Sequence, residues 1–149
     1  MACDIIVAAE DTQFGDTHSR VGVHPGGGMS QMLPRLVGLN KAKELSFTGN
    51  FISAQEALQW GLVNRVVPAD ELQSVVEATA QDILSSNQKL VRRMKNLIDA
   101  AVATPIETGL AMEKRSQGHF HESQGSDIMV EEETKEKVLK RGRTQSEKE

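Results

Sequence analysis

The chain has few aromatic residues, a single cysteine and no long apolar run. Its 149 residues include one Trp, four Phe and no Tyr, and aromatic residues make up 3% of the total. A lone cysteine excludes an internal disulfide. No apolar stretch approaches the roughly 20 residues that span a bilayer, so we expect no membrane partner. A core must therefore be built from Leu, Val, Ile, Ala and Met, and a chain of this length can bury one as a single domain.

The charge balance excludes a further class of partner. The chain has 17 basic and 21 acidic residues, which gives a net charge of -4 at pH 7. This excess of acid gives no reason to expect nucleic acid or an anionic membrane surface as a ligand. The first residues also lack the basic segment and apolar stretch of a secretory signal. We expect an intracellular protein, with the cytoplasm and the mitochondrion as equal alternatives.

Three short segments have the pattern of β-strands. Residues 5–9 form an apolar run that begins with β-branched side chains and ends at polar residues, which predicts a buried strand. Residues 12–15 and 62–67 are weaker candidates. Cys3, beside the first strand, is expected to be a buried structural thiol, because no electropositive surroundings that would activate it are visible. These segments predict a thin sheet beside a long helical remainder.

The rest of the chain has mainly helical patterns. Ser53 with Glu56 has the spacing of a capping box, and Asp70 with Gln73 predicts a second helix start. Beyond the second start, apolar residues recur every three or four positions in two successive stretches, as on one face of a helix. We therefore expect several helices after the strands.

His18 is the strongest candidate for a catalytic residue. It lies in a polar loop directly after a predicted strand. Histidine exchanges a proton near neutral pH, which suits general acid–base catalysis. The alternative is an exposed or locally hydrogen-bonded loop histidine. The nearby Asp16 could lie beside a binding pocket, but we expect it to be a solvated loop acid. His119 and His121 lie two residues apart and so face different sides of a helix, and we expect no metal site there.

A glycine-rich segment, Pro25-Gly26-Gly27-Gly28, follows the histidine loop. It is not a P-loop, because no Lys-Ser or Lys-Thr follows it, and it lacks the glycine spacing of a dinucleotide-binding loop. A tight turn that needs positive φ before a helix accounts for the glycines. We therefore favour a structural and pocket-lining role over phosphate binding.

Several segments resemble the second half of the enoyl-CoA hydratase/isomerase (crotonase) superfamily. They are the apolar strand at 5–9, Gly-Val-His-Pro-Gly-Gly-Gly at 22–28, Thr-Gly-Asn-Phe-Ile-Ser-Ala at 48–54 and Gly-Leu-Val at 61–63. The resemblance is strongest over residues 33–63. The superfamily includes hydratases, isomerases, hydrolases and decarboxylases, so the resemblance implies a family more specifically than one reaction.

The resemblance implies an α/β protein with a partial crotonase-like (ClpP/crotonase) fold, in which few short strands are followed by several helices. Residues 1–67 correspond to a partial core that includes an acyl-pocket segment. Residues 68–143 correspond to helices that the family uses for oligomerisation. Residues 144–149 are expected to be a disordered tail.

The resemblance also implies roles for individual residues. In typical hydratases a Phe-x-x-Pro-Glu segment places a catalytic glutamate at the position that His18 occupies here. That carboxylate works with a second glutamate to add water to the double bond of a 2-enoyl-CoA thioester. Val23, Pro25, Gly26 and Gly27 are implied to bind the substrate as the wall of the acyl pocket. No cofactor is implied apart from the coenzyme A of the substrate.

Two further features of the resemblance concern partners. Lys140 and Arg141 weakly resemble a C-terminal family segment that contacts the coenzyme A nucleotide, although both aromatic residues of that segment are absent. A solvated helix end is the alternative interpretation. The family also implies a homo-oligomer, either trimer or hexamer, or an assembly with full-length relatives.

The expected activity follows from what the resemblance covers. The family's second glutamate and both backbone N–H donors of its oxyanion hole belong to segments upstream of Met1, and such donors each lower the barrier by several kcal/mol. We expect the parent activity to be hydration or isomerisation of 2-enoyl-CoA thioesters, and the 149-residue chain to be inactive or nearly so. The alternatives are a non-catalytic subunit that assembles with full-length relatives, and an incomplete gene product with no separate role.

Overall fold

The structure is a computed structural model that describes residues 3–124 and 132–146. The chain divides into two compact units, Met1–Ser85 and Ser86–Glu149. Within the described ranges, every helix is too short or too polar to span a lipid bilayer.

In the first unit, short strands alternate with helices. The elements in chain order are β1 (Val7–Ala9), β2 (Gln13–Gly15), α1 (His18–Val21), α2 (Met29–Val37), α3 (Leu39–Thr48), β3 (Phe51–Ser53), α4 (Ala54–Gln59), β4 (Arg65–Val67) and α5 (Leu72–Leu84). β1 and β4 are parallel, with Ala8 opposite Val66. β2 and β3 are antiparallel, with Phe14 opposite Ile52. The α/β class with few short strands is confirmed.

The first strand is shorter than the sequence predicted. The backbone N–H of Ile6 donates to the side-chain Oδ1 of Asn64 at 2.8 Å, so regular ladder pairing begins only at Val7. Cys3 precedes the strand and is exposed, which corrects the prediction of a buried thiol.

The strand predicted at 62–67 is shortened to β4 for a packing reason. Leu62 and Val63 are both buried in the core. Their backbone N–H groups donate to the Ala57 carbonyl oxygen at 2.8 and 3.4 Å and close the turn after α4. β3 was not predicted, because its three residues are too few for an alternating pattern to be recognised.

The core of the first unit is aliphatic, as the composition predicted. α2 packs against α3, α4 packs against β2, β3 and β4, and Leu33 on α2 is the largest fully buried side chain. Because none of the fully buried residues that the structure describes is aromatic, small and branched side chains must interlock. The buried residues are Ala8, Leu33, Val37, Ala42, Leu45, Ile52, Ala54, Ala57, Leu62 and Val63.

One of the two predicted helix caps is present. Ser53 caps α4: the Glu56 backbone N–H donates to the Ser53 hydroxyl at 3.2 Å, and the Ser53 N–H donates to the Glu56 carboxylate at 2.8 Å. The predicted cap at Asp70 is wrong. α5 begins after Glu71 without a side-chain cap, and Gln73 donates instead to Glu77 at 2.6 Å.

α5 belongs to the first unit and not to the helical region predicted from residue 68. It packs against β1, and the Arg65 guanidinium on β4 donates to the Thr79 hydroxyl on α5 at 3.1 Å. The first unit accordingly extends to residue 85.

The second unit is helical, as predicted. It contains α6 (Gln88–Ala101), α7 (Ile106–Gln124) and α8 (Glu132–Ser146). α6 packs against α7, where the Arg93 guanidinium donates to the Ser116 carbonyl at 3.1 Å and lies 5.4 Å from the centre of the Phe120 ring. Residues 144–146 are helical where the sequence predicted a tail, and residues 147–149 lie outside the described residues.

Replacing the N-cap residue of α4 is expected to destabilise the protein. Ser53→Ala removes the hydroxyl that accepts the Glu56 N–H, which costs about 1 kcal/mol of unfolding free energy. Hydrogen bonds from the Ser53 backbone and hydroxyl lower the pKa of Glu56 below its ordinary 4.5. The capping box is therefore fully formed above that pH, and its contribution is lost as pH falls through the lowered value.

Urea unfolding followed by circular dichroism measures both effects. Ser74→Ala is the matched control, because Ser74 is exposed and its hydroxyl donates to the carbonyl of Glu71, the residue just before α5. Equal losses for the two variants, or a Ser53→Ala loss that is independent of pH, would contradict the prediction.

Candidate functional site

The first unit contains a cavity of about 410 Å³ beside His18. One wall is formed by the segment that follows β2, including Val23 and Pro25. The other walls are side chains of α2 and α3, most of them apolar, among them Leu33 and Phe47. The cavity therefore combines an apolar lining with one histidine, and its volume lies within the range of small-molecule sites.

His18 lies at the start of a short helix and not in a loop. β2 ends at Gly15, and α1 begins at His18. The Ser19 hydroxyl donates to the Ser46 carbonyl at 2.6 Å, and the Arg20 Nε donates to the Thr48 carbonyl at 2.5 Å. These carbonyls belong to the last turn of α3, where no partner is available within the helix. α1 is therefore fastened to the C-terminal end of α3.

A glycine makes this close approach possible. Gly49 ends α3 with φ +59°, a conformation that favours glycine. A Cβ at Gly49 would overlap the Cγ of Arg20. The family-like Thr-Gly-Asn segment thus has a structural explanation, because it lets Arg20 pass across the helix end.

Asp16 is the residue whose burial the sequence did not predict. It was expected to be solvated, yet only 3% of it is exposed. Its Oδ1 accepts hydrogen bonds from the His18 backbone N–H at 3.2 Å and the His18 Nδ1 at 2.5 Å, and its Oδ2 accepts one from the Ser46 hydroxyl at 2.6 Å. Both carboxylate oxygens are thus occupied. The Asp-x-His spacing after a strand is the sequence signal that could have found this pair.

Asp16 is ionised at neutral pH. Burial raises its pKa, but the hydrogen bonds from Ser46 and His18 and the attraction of the His18 charge lower it by more, so the pKa lies below its ordinary value of 3.8. An ionised carboxylate only accepts hydrogen bonds, so the Nδ1 of His18 must carry the donated proton.

The second ring nitrogen of His18 is available to a ligand. His18 lines the cavity, and 33% of its side chain is exposed. Among the described residues, its Nε2 has no hydrogen-bond partner. With Nδ1 bound to Asp16, Nε2 is the atom that can exchange a proton with a molecule in the cavity.

The glycine-rich segment lines the cavity only in part. Val23 and Pro25 belong to the lining, and their contact with a substrate stays a prediction. Gly26 and Gly27 are not among the lining residues, and open space surrounds the positions that a Cβ would take at each; their implied contact with the substrate stays a prediction. Gly27 and Gly28 have φ +60° and +85°, so the expected positive-φ turn into α2 is present.

Other residues singled out by the sequence lie elsewhere. Lys140 and Arg141 are exposed on α8 in the second unit, and their contact with coenzyme A stays a prediction. Among the described residues, no group of three or more His, Cys, Asp or Glu side chains could hold a metal ion.

The wall provided by α3 was not recognised from the sequence. The spacing of its lining residues is that of one helix face, and this was the available signal. The α3 residues that line the cavity are Leu39, Ala42, Lys43, Ser46 and Phe47.

Comparison with known proteins gives a consistent result. A sequence model described as enoyl-CoA hydratase/isomerase matches residues 1–138. A short-chain-enoyl-CoA hydratase of Clostridioides difficile is 46% identical over 79% of this chain and 76% of its own length. A crotonyl-CoA hydratase of Syntrophomonas wolfei is 40% identical over 79% of this chain and 45% of its own.

Solved structures agree with these relatives. The crystal structure of an enoyl-CoA hydratase from Bacillus anthracis has a TM-score of 0.76 and 42% identity, covering 78% of this chain and 45% of that one. The chain thus spans about half the length of most of the relatives named here.

The stability of the first unit is expected to depend on the charge of Asp16. Because the folded-state pKa is lowered, the carboxylate stabilises the fold above pH 3.8, and this contribution is lost as pH falls through the lowered value. Asp16→Asn keeps the shape but not the charge, so it should destabilise the protein most above about pH 5 and progressively less below. Urea unfolding of both proteins between pH 3 and 7 measures this difference. A difference that grows as the solution becomes more acidic would contradict the assignment.

Proposed function

Because this chain belongs to the enoyl-CoA hydratase/isomerase family, as the resemblance predicted, we propose that the His18 cavity binds the acyl part of a 2-enoyl-CoA thioester. The observation that carries the proposal is the Nε2 of His18, which lacks a protein partner among the described residues and belongs to a mainly apolar cavity of about 410 Å³. Apolar walls suit an acyl chain, and the proton-exchanging Nε2 of His18 suits its reactive end.

The chemistry proposed for His18 is one of the proton transfers of hydration or isomerisation. Adding water to an enoyl thioester requires a base that takes a proton from water and an acid that gives a proton to the adjacent carbon. His18 can serve as one of these groups. Of the lining residues that the structure describes, Asp16 is the one carboxylate, and both its oxygens already accept hydrogen bonds.

It follows that the 149-residue chain by itself should bind acyl-CoA but hydrate it very slowly. Among the described lining residues, Asp16 already accepts hydrogen bonds at both oxygens, and Lys43 is the other titratable side chain besides His18, so the lining offers no second carboxylate for the reaction. The proposed reaction uses no cofactor beyond the coenzyme A of the substrate. The cellular compartment, cytoplasm or mitochondrion, stays as predicted from the sequence.

Acyl-CoA binding can be tested by placing the same charge at two nearby valines, one in the cavity lining and one outside it. Val23→Asp places a carboxylate in the cavity lining, and desolvating that charge against an acyl chain should weaken binding of butanoyl-CoA by about tenfold or more. Val21→Asp introduces the same charge two residues away, outside the lining, and should leave the affinity unchanged. Isothermal titration calorimetry measures both affinities. Equal weakening by the two variants, or no binding to the unaltered chain, would refute the proposed cavity.

Hydration is tested separately with crotonyl-CoA. We expect turnover far below the roughly 1 to 1,000 per second of typical enzymes. His18→Ala should abolish any residual turnover while leaving butanoyl-CoA binding within about twofold, because His18 supplies a proton and not the apolar contact. Turnover at an ordinary enzyme rate would show that the described cavity already contains the full machinery.

A second candidate function, a subunit that assembles with copies of itself or with longer relatives, is supported by α6. Residues at intervals of four form an exposed apolar stripe: Leu90, Met94, Ile98 and Val102, with Met94, Ile98 and Val102 each more than half exposed. An exposed apolar face of this kind is characteristic of association surfaces. Trimers and hexamers are the assemblies that the family implied.

Assembly is testable by analytical ultracentrifugation of the unaltered chain and two variants. Ile98→Glu places a charge in the stripe and should convert oligomers to monomers. Asn96→Glu adds the same charge at an exposed polar position of α6 and should not change the mass. A monomeric unaltered chain, or equal dissociation by both variants, would count against this function.

A further inference from the structure

Three elements of the first unit are joined by one chain of side-chain hydrogen bonds. Ser46 on α3 donates to Asp16 in the β2–α1 connection, and Asp16 accepts in turn from His18 on α1. We propose that Asp16, held in place by Ser46, is the positioning residue of His18. It fixes the ring with the proton on Nδ1 and so presents Nε2 to the cavity. This positioning role concerns the same cavity as the proposed function, and it rests on that function only for the identity of the molecule that reacts there.

Asp16 has the burial and the charge that this role needs. Only 3% of it is exposed, so water competes little for its oxygens. Hydrogen bonds to an ionised acceptor are stronger than those between neutral groups, and the His18 Nδ1 is 2.5 Å from Oδ1. The same oxygen also accepts the His18 backbone N–H at 3.2 Å, which ties the side chain of Asp16 to the start of α1. The ring of His18 therefore has one favoured orientation.

Ser46 fixes the opposite side of the carboxylate. Its hydroxyl donates to Oδ2 at 2.6 Å from a helix 30 residues further along the chain. That helix end is itself held against α1 by the contacts of Ser19 and Arg20 with its carbonyl groups. Asp16 is thus held from two elements, and rotation of its side chain would break bonds on both sides.

Asp16 and His18 have opposite charges when the histidine ring is protonated. When His18 accepts a proton on Nε2, the positive ring lies beside the ionised carboxylate, which stabilises it. A glutamate at position 18 would instead put two carboxylates together, and like charges this close disfavour double ionisation. The histidine, where the resembled hydratases have glutamate, is therefore explained by its neighbour Asp16.

The tautomer of His18 tests the proposal without any substrate. Long-range ¹H–¹⁵N correlation spectra of the 149-residue chain, at a pH where the rings are neutral, distinguish the Nδ1–H from the Nε2–H form. His18 should be mainly Nδ1–H. His119 is exposed and has no side-chain partner among the described residues, so it should show the Nε2–H majority of free histidine and serves as internal reference.

Substitutions then test whether Asp16 and Ser46 determine the tautomer of His18. Asp16→Ala should reduce the Nδ1–H form of His18 from the majority to the minority, and Ser46→Ala should reduce it in part. Ser30→Ala is the control, because the Ser30 hydroxyl belongs to the same cavity but contacts neither Asp16 nor His18. Dispersed amide spectra establish that each variant is folded. If Asp16→Ala fails to fold, the isosteric Asp16→Asn decides, since its amide can donate to Nδ1 and so favours Nε2–H.

Two results would overturn the proposal. One is an Nε2–H majority at His18 in the unaltered chain. The other is an unchanged Nδ1–H fraction in a folded Asp16 variant. Because these spectra need no ligand, a failure of butanoyl-CoA to bind would refute the proposed cavity function and leave the positioning role standing, and the reverse also holds.

Discussion

The attachment of α1 to the C-terminal end of α3 is the interaction on which the cavity depends. The last carbonyl groups of a helix have no partners within it, and here Ser19 and Arg20 supply donors to them. This contact closes one side of the cavity and brings Ser46 to Asp16. Gly49 permits it, because a side chain there would occupy the space of Arg20.

The same attachment buries Asp16, a polar residue that was expected to be solvated. Asp16 loses water on burial, and that cost is offset only because all its accepted hydrogen bonds form together. His18 is then held by a charged neighbour in a cavity whose other walls are mainly apolar. The first unit supplies this arrangement with two small sheets and an aliphatic core, in which none of the fully buried residues in the described part of the chain is aromatic.

Much of the secondary structure could be predicted, and the failures have identifiable causes. The capping box at Ser53 was recognised because its hydrogen bonds are local. The start of the first strand was misplaced because Asn64, a residue distant in sequence, accepts the hydrogen bond of the Ile6 backbone N–H. Among the predicted site residues, His18, Val23 and Pro25 line the cavity. The glycines implied to line it form the turn before α2.

The sequence by itself determined the family, the α/β class, the aliphatic core and the position of the one histidine that faces the cavity. Each of these depends on composition or on residues close together along the chain. Only the tertiary structure decided that Asp16 is buried and shared between His18 and Ser46, that α3 forms a cavity wall, and that α5 belongs with the strands. The physical reason is that these contacts join residues up to tens of positions apart, and their geometry exists only once the helices have packed.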